Sequence, residues 1–219
     1  MPLFSLFKAN RSFFIGFFLF VIFCCYILLY YSKADGFYLL NPYHSSFIDF
    51  TFIYFTYLGD GFFCIAIGLS LLIFKKRFLG LMVLSSYALS GIIAQVLKYY
   101  IIEARPAVFF KDTSYKYFIE NVTLHNLHAF PSGHSASAFA MAAVLSFALK
   151  NKKYSVLFLA GAVIVGYSRI YLAQHFPDDV LAGALIGFVS AIFCWIFFNK
   201  FFSTKLTSKK INWFWQKVR

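Results

Sequence analysis

A chain of 219 residues that is 61% hydrophobic and 23% aromatic, with a mean hydropathy of +0.74, lies outside the range of soluble domains and reads as a polytopic membrane protein. Its net charge of +12 raises the question of nucleic acid, which the placement of the charges then excludes. No Gly/Ser linker, low-complexity tract or internal repeat divides the chain, so residues 1–219 read as a single transmembrane domain.

About 20 apolar residues suffice to cross a bilayer as a helix. Six runs qualify, so the expected fold is all-α, with six transmembrane helices in one bundle. The first, Ser12 to Tyr31, carries no charge and follows Lys8 and Arg11. Its long apolar run, with no clear small-residue cleavage site after it, favours a retained anchor over a signal peptide. Asn41 to Thr56 is aromatic and weakly polar, and is expected to form a short interfacial helix. The other runs are Tyr57 to Phe74, Phe78 to Ile102, Ser132 to Leu149, Tyr154 to Tyr171 and Pro177 to Phe198. Cys24, Cys25, Cys64 and Cys194 fall inside these runs without metal-ligand or redox spacing, and read as small apolar side chains.

Alternating sides along these spans separates the charges. One side collects Lys8, Arg11, the Lys75–Arg77 and Lys150–Lys153 clusters, and every cation from Lys200 onward: fourteen cations and no acid. The other holds Lys33, Lys98, Arg105, Lys111, Lys116 and Arg169, with all eight acids and all five histidines. The positive-inside rule then puts both termini in the cytoplasm, and accounts for the net charge without nucleic acid. The basic tail, with Trp213 and Trp215 among lysines, reads as an anchor to anionic lipid headgroups. Every residue suited to acid–base chemistry is left on the outer face.

Three polar clusters meet there. In "KYYIIEARP", Lys98 and Arg105 are seven residues apart, two turns of helix, so they are expected to share a face, with Pro106 ending the helix. Alone, this cluster favours simple snorkelling of each cation. "FPSGH" opens the fourth run as a capped helix start, with Ser132 as cap, free backbone N–H groups and His134 in the first turn. The cap is ordinary; the histidine is not. In "SRIYLAQHFPDD", Pro177 suits the first helical position, so Asp179 sits in the first turn and can reach back to His175. A dipole-favoured cap explains one acid, but neither Arg169 nor His175. Three cations, two histidines, an orienting acid and a helix N-terminus suit phosphoryl transfer without a metal.

These motifs resemble the membrane-embedded type 2 phosphatidic acid phosphatases, which share a site with vanadium haloperoxidases. The pattern of K, six residues, RP is met by Lys98 and Arg105–Pro106. PSGH is Pro131 to His134, and SR, five residues, H, three residues, D is Ser168–Arg169, His175 and Asp179. The motif core thus runs from residue 98 to 179. The resemblance implies that His175 attacks phosphorus to form a phosphohistidine, that Asp179 orients it, and that His134 protonates the leaving group. Lys98, Arg105, Ser132, Gly133 and Arg169 would hold the phosphoryl oxygens, with no metal and no cofactor. The implied partners are a lipid phosphate substrate and membrane lipids. The site would face the periplasm from a bacterial inner membrane.

The substrate is read as undecaprenyl diphosphate or a lipid A phosphate, with phosphatidylglycerol phosphate and phosphatidic acid as alternatives. Selectivity is assigned to the loops Lys33 to Thr56 and Ala107 to Phe130, where Lys111 and Lys116 could meet a second phosphate. Competing readings are a metal hydrolase using His125, His128 and His134, a lipid-phosphate binder or transporter, and a haloperoxidase. The first lacks a convincing supporting pattern and the second has no need of Asp179 behind His175. The six spans weigh against the third. His125 and His128 read as loop or substrate-contact residues.

Overall fold

The computed structural model describes residues 3–113, 115, 117–119 and 122–203. Lys116, Glu120 and the basic tail with Trp213 and Trp215 lie outside the described residues. Ten α-helices follow in order: α1 (Leu3–Ala9), α2 (Arg11–Tyr30), α3 (Lys33–Leu40), α4 (Ser46–Phe55), α5 (Gly61–Ile73), α6 (Arg77–Tyr100), α7 (Pro106–Phe109), α8 (Gly133–Ala148), α9 (Ser155–Tyr171) and α10 (Pro177–Ser203). There is no strand among the described residues. Each expected run holds a helix.

Among the described residues, four helices are long and apolar enough to cross a membrane: Arg11–Tyr30, Arg77–Tyr100, Lys152–Tyr171 and Pro177–Phe202. The pair Ser46–Gly59 and Gly61–Ile73 passes the same test together, bent by 53°. Helix α8 has 16 residues, which at 1.5 Å rise is about 24 Å, short of a ~30 Å hydrocarbon core. The expected short helix inside Asn41–Thr56 is α4. The stretch Lys33 to Thr56, read as a loop, also contains α3, started by Ser32, whose hydroxyl accepts from the Asp35 N–H.

α8 sits in the centre. Every residue from Ser135 to Val144 is buried, as expected for a helix without a polar face. It packs mainly against α10, then α6 and α9. Lipid is as apolar as leucine, so close packing rather than hydrophobic burial must join these helices. The sequence supplies it with small residues. A Cβ on Gly183 would come within 2.3 Å of the Ser132 carbonyl oxygen, and one on Gly187 within 2.2 Å of the Ala136 oxygen. Further down, Phe13, Phe14 and Phe17 of α2 interleave with Phe139 and Phe147 of α8 and Phe188 of α10. The Phe17 and Phe188 rings stack at 3.9 Å. Large apolar side chains turn outward, Phe62 at 87% and Leu29 at 81% exposure, which suits a lipid-facing surface.

A second apolar cluster, Phe37, Phe110, Tyr115, Ile170, Ala173, Phe176 and Val180, covers the α9–α10 turn. It lies at the end of the bundle where α6 and α9 finish and α8 and α10 begin. All four cysteines are free.

The glycine contacts can be tested. Gly187→Ala is expected to lower the unfolding midpoint in detergent, since the new methyl meets the Ala136 and Ala140 backbone; overpacking of this kind costs about 1–3 kcal/mol. Gly161→Ala, with nothing within 4 Å of its Cβ, should hold or raise the midpoint. Equal shifts in the two variants would refute this account of the α8–α10 contact.

Candidate active site

The site begins with the break between α9 and α10. The α9 end closes as Leu172 N–H donates to the Ser168 oxygen and both Gln174 and His175 N–H donate to the Arg169 oxygen. Ala173 takes φ 50°, a left-handed conformation at the position where helices usually place glycine. The turn delivers His175 against the first turn of α10. There His175 Nδ1 faces Asp179 Oδ2 at 3.2 Å, and the same oxygen accepts the Phe176 N–H at 2.9 Å. Both side chains are buried, His175 at 2% and Asp179 at 0% exposure. Burial first, then the Arg169, Arg105 and Lys98 charges, press the His175 pKa well below the ordinary histidine range; the Ala129 carbonyl opposes them. The ring is therefore neutral at neutral pH, with Nδ1 held and Nε2 left for chemistry.

The start of α8 is tied to the same carboxylate residue. Ser132 N–H donates to the Asp179 carbonyl oxygen at 2.9 Å, and Ser132 Oγ caps the helix by accepting from Ser135 N and Oγ. Apart from its chain neighbours and its own helix backbone, no atom of the described residues lies within 4 Å of the place a Gly133 Cβ would take. The missing side chain thus opens the helix N-terminus to something other than protein.

Three cations surround these groups. Lys98 Nζ donates to the His128 oxygen at 2.6 Å and to the Ala129 oxygen at 3.3 Å. Arg105 Nε donates to the Leu127 oxygen, and its NH1 lies 3.4 Å from both the backbone and side-chain oxygens of Gln174. Arg169, 7% exposed, donates from NH1 to Thr56 Oγ1 at 2.7 Å, and its buried Nε has no acceptor among the described residues. A buried guanidinium N–H without an acceptor is costly unless an anion serves it.

One expectation is corrected. Lys98 and Arg105 do not share a helix face, because α6 stops at Tyr100. Pro106 disfavours helix at the residue before it, and Arg105 is extended at φ −79° and ψ 163°. The segment after α6 instead runs beside the strip before α8: Arg105 N–H donates to the Asn126 oxygen, and Ala129 N–H to the Glu103 oxygen. The two cations still reach one place, by different routes.

His128, at φ 58°, places its Nδ1 2.8 Å from the Lys98 oxygen, bracing that lysine. His125 is exposed, its pKa lowered by partial burial and by Arg105, Arg169 and Lys98, so it borders the cation cluster. Lys111 is exposed. Among the described residues the side chains close enough to share a metal ion are Glu103, Asp178 and Asp179, not the histidines of the metal-hydrolase reading. Lys33 Nζ pairs with two of these carboxylates, Glu103 at 2.6 Å and Asp178 at 3.0 Å.

Sequence reading missed a whole wall. The break between α4 and α5 brings Thr56 to Arg169, and places Asp60 Oδ2 3.7 Å from His134 Nε2. Its only signal was the run "TYLGDG", with an acid and two glycines opening an apolar helix.

Comparison with known proteins gives consistent matches. The PAP2 superfamily matches residues 79–203. A lipid A 1-phosphatase of Rhizobium etli is 35% identical over 113 residues, 50% of this chain and 46% of that protein. An undecaprenyl-diphosphatase of Sulfolobus acidocaldarius is 35% identical over 118 residues, 53% of this chain and 54% of that protein. The matches thus span about half the length of these relatives. The crystal structure of Aquifex aeolicus LpxE superposes with a TM-score of 0.58 at 31% identity, covering 74% of this chain and 93% of that one.

If the buried guanidinium is an anion anchor, tungstate binding to the purified protein should depend on its support. Thr56→Val removes one hydrogen bond to a charged group, worth ~1.5 kcal/mol, and should weaken binding about tenfold by calorimetry. Unchanged affinity would show that anion binding does not depend on the Thr56 support of Arg169.

Proposed function

The chain belongs to the PAP2 superfamily, and on that premise we propose that it is an integral-membrane lipid phosphate phosphatase working through a phosphohistidine. The observation that carries this reading is the buried His175 held at Nδ1 by Asp179, beside three cations and a helix N-terminus. His175 Nε2 attacks phosphorus in line with the leaving oxygen. Asp179 keeps the ring in the attacking tautomer and offsets the positive charge that the ring acquires as the P–N bond forms. Lys98, Arg105, Arg169, Ser132 and the Gly133 N–H hold the non-bridging oxygens, where charge is spread in the transition state. His134, in the first turn of α8, protonates the leaving oxygen, and then takes a proton from the water that releases phosphate.

Six helices, α2, α5, α6, α8, α9 and α10, form the membrane bundle in this reading. α8 is short because protein, not lipid, surrounds it. Both termini are cytoplasmic, from the excess of Lys and Arg on that side. The site then opens to the periplasmic face of a bacterial inner membrane. A lipid lying among the outward apolar side chains presents its headgroup there.

The substrate is undecaprenyl diphosphate or a lipid A phosphate. Two relatives that act on such lipids by name are equally similar, at 35% each, so identity does not choose between them. Phosphatidylglycerol phosphate and phosphatidic acid complete the panel to be tried.

The test is phosphate release by the purified chain in detergent with excess EDTA, across those four lipids. Wild type should release phosphate from at least one, and His175→Ala should reduce release to background while the protein remains helical and monodisperse in detergent. Release surviving in the variant would remove His175 as nucleophile. No release by wild type, with lipid phosphate still bound, would leave a binder.

Asp179→Asn should cut kcat by about 10²- to 10⁴-fold, the usual range for an oriented acid–base group, with KM nearly unchanged. A rise in KM alone would instead assign Asp179 to substrate binding.

A further inference from the structure

His134 has a carboxylate partner of its own. Asp60 is the N-cap of α5: its Oδ1 accepts the Phe62 N–H at 2.8 Å, while Oδ2 stands 3.7 Å from His134 Nε2. The approach is built into the backbone. A Cβ on Gly59 would come within 2.7 Å of the His134 carbonyl oxygen, so the residue before Asp60 must be glycine for the segment to lie this close. On the other side, a Cβ on Gly61 would strike the Tyr87 hydroxyl at 2.2 Å. Asp60 is thus pinned between α8 and α6, with one oxygen used by its own helix and the other turned to the histidine.

The surroundings explain why a partner is needed. A leaving-group acid must carry a proton. Burial of the ring opposes this first, and so do the groups facing it: Arg169 on α9, His175 before α10, Arg105 before α7 and Lys98 on α6. Asp179, on α10, is engaged with His175 and Phe176. Cys64 on α5 and Tyr87 on α6 lie beside Asp60 and are neutral in their ordinary forms. Asp60 is the acid left to balance the cations at this ring.

We infer that Asp60 is the positioning residue of His134, holding Nε2–H of the imidazolium so that Nδ1–H faces the leaving oxygen. This rests on the phosphatase reading given above. As the P–O bond breaks, the Nδ1 proton passes to the leaving oxygen, and the ring is left neutral with Nε2–H still toward Asp60. In the second half, Nδ1 takes a proton from the attacking water as the P–N bond to His175 breaks, which restores the imidazolium. Both histidines are then oriented by an aspartate, at opposite nitrogens: His175 at Nδ1 and His134 at Nε2.

The variant is Asp60→Asn, which keeps a good N-cap oxygen for Phe62 and removes only the charge. Two readouts are paired. The first, independent of turnover, is the pH titration of the His134 ring by NMR on histidine-labelled protein in detergent. The pKa should fall by a unit or more in the variant, and an unchanged value would overturn the inference. The second is the pre-steady-state rate of phosphohistidine formation, which leaves out the water step common to all substrates, on an alkyl lipid phosphate against p-nitrophenyl phosphate, whose leaving group departs without a proton. The alkyl substrate should slow by about 10- to 100-fold, with the alkaline limb of its pH profile moving to lower pH, because the acid form is lost sooner. The aryl substrate should change less than about twofold. Equal loss on both substrates would make Asp60 a merely structural cap. A wild type inactive on both would refute the phosphatase reading, and the titration would still decide the pairing of Asp60 with His134.

Discussion

Asp179 is the residue on which the geometry turns. Its side chain is wholly buried, yet it joins three segments: Oδ2 meets His175 and the Phe176 N–H, and its carbonyl oxygen accepts the Ser132 N–H. The turn after α9, the start of α10 and the start of α8 are therefore fixed relative to one carboxylate. A buried charge is tolerated only where partners repay its desolvation. Here those partners are the parts of the site that must not move. Close packing at Gly183, whose Cβ position lies 2.3 Å from the Ser132 oxygen, holds the two helix starts together independently of that network.

The cations are arranged by a different device. Lys98 and Arg105 are held by backbone carbonyl oxygens of the strip 127–129 and of Gln174, and Arg169 by a threonine hydroxyl. None of the three is paired with a carboxylate at ion-pair distance among the described residues. Carbonyl dipoles offset mutual repulsion without cancelling the charge. The pocket stays net positive, which a carboxylate clamp would forbid, and is pre-organised for an anion with several oxygens. Lys33, paired with Glu103 and Asp178, lies outside this ring and sits over the Phe176 ring at 4.8 Å. It serves the frame of the site, in the cap over the α9–α10 turn.

Much of this was legible in the sequence, because the chemistry lies at the ends of long apolar runs. Hydropathy located the helices, and helix-start chemistry placed Ser132, His134, Pro177 and Asp179 in first turns, where they are. What failed was continuity. The seven-residue spacing of Lys98 and Arg105 looked helical, but Pro106 and the pairing with 126–129 draw the chain out after Tyr100. Thr56 and Asp60 were invisible as site residues, since their role depends on a 53° bend between two segments whose packing against α8 and α9 hydropathy does not display. Lys33 was equally hidden, because its partners lie 70 and 145 positions away in the chain.

The two histidine–aspartate pairs differ in one respect that fits their assigned tasks. His175 and Asp179 have side chains 3% and 0% exposed; those of His134 and Asp60 are 30% and 31% exposed. A nucleophile gains from burial, which keeps its ring neutral and keeps water from the bond it must form. An acid that gives up a proton and recovers it from water in every cycle cannot be sealed in the same way. Partial exposure also weakens the repulsion from the nearby cations, because solvent screens it. The same fold thus places one imidazole deep against α10 and the other at the rim against α5. In the proposed mechanism the distinction between nucleophile and donating acid follows from depth in the bundle, a property that two motifs of similar composition cannot display in sequence.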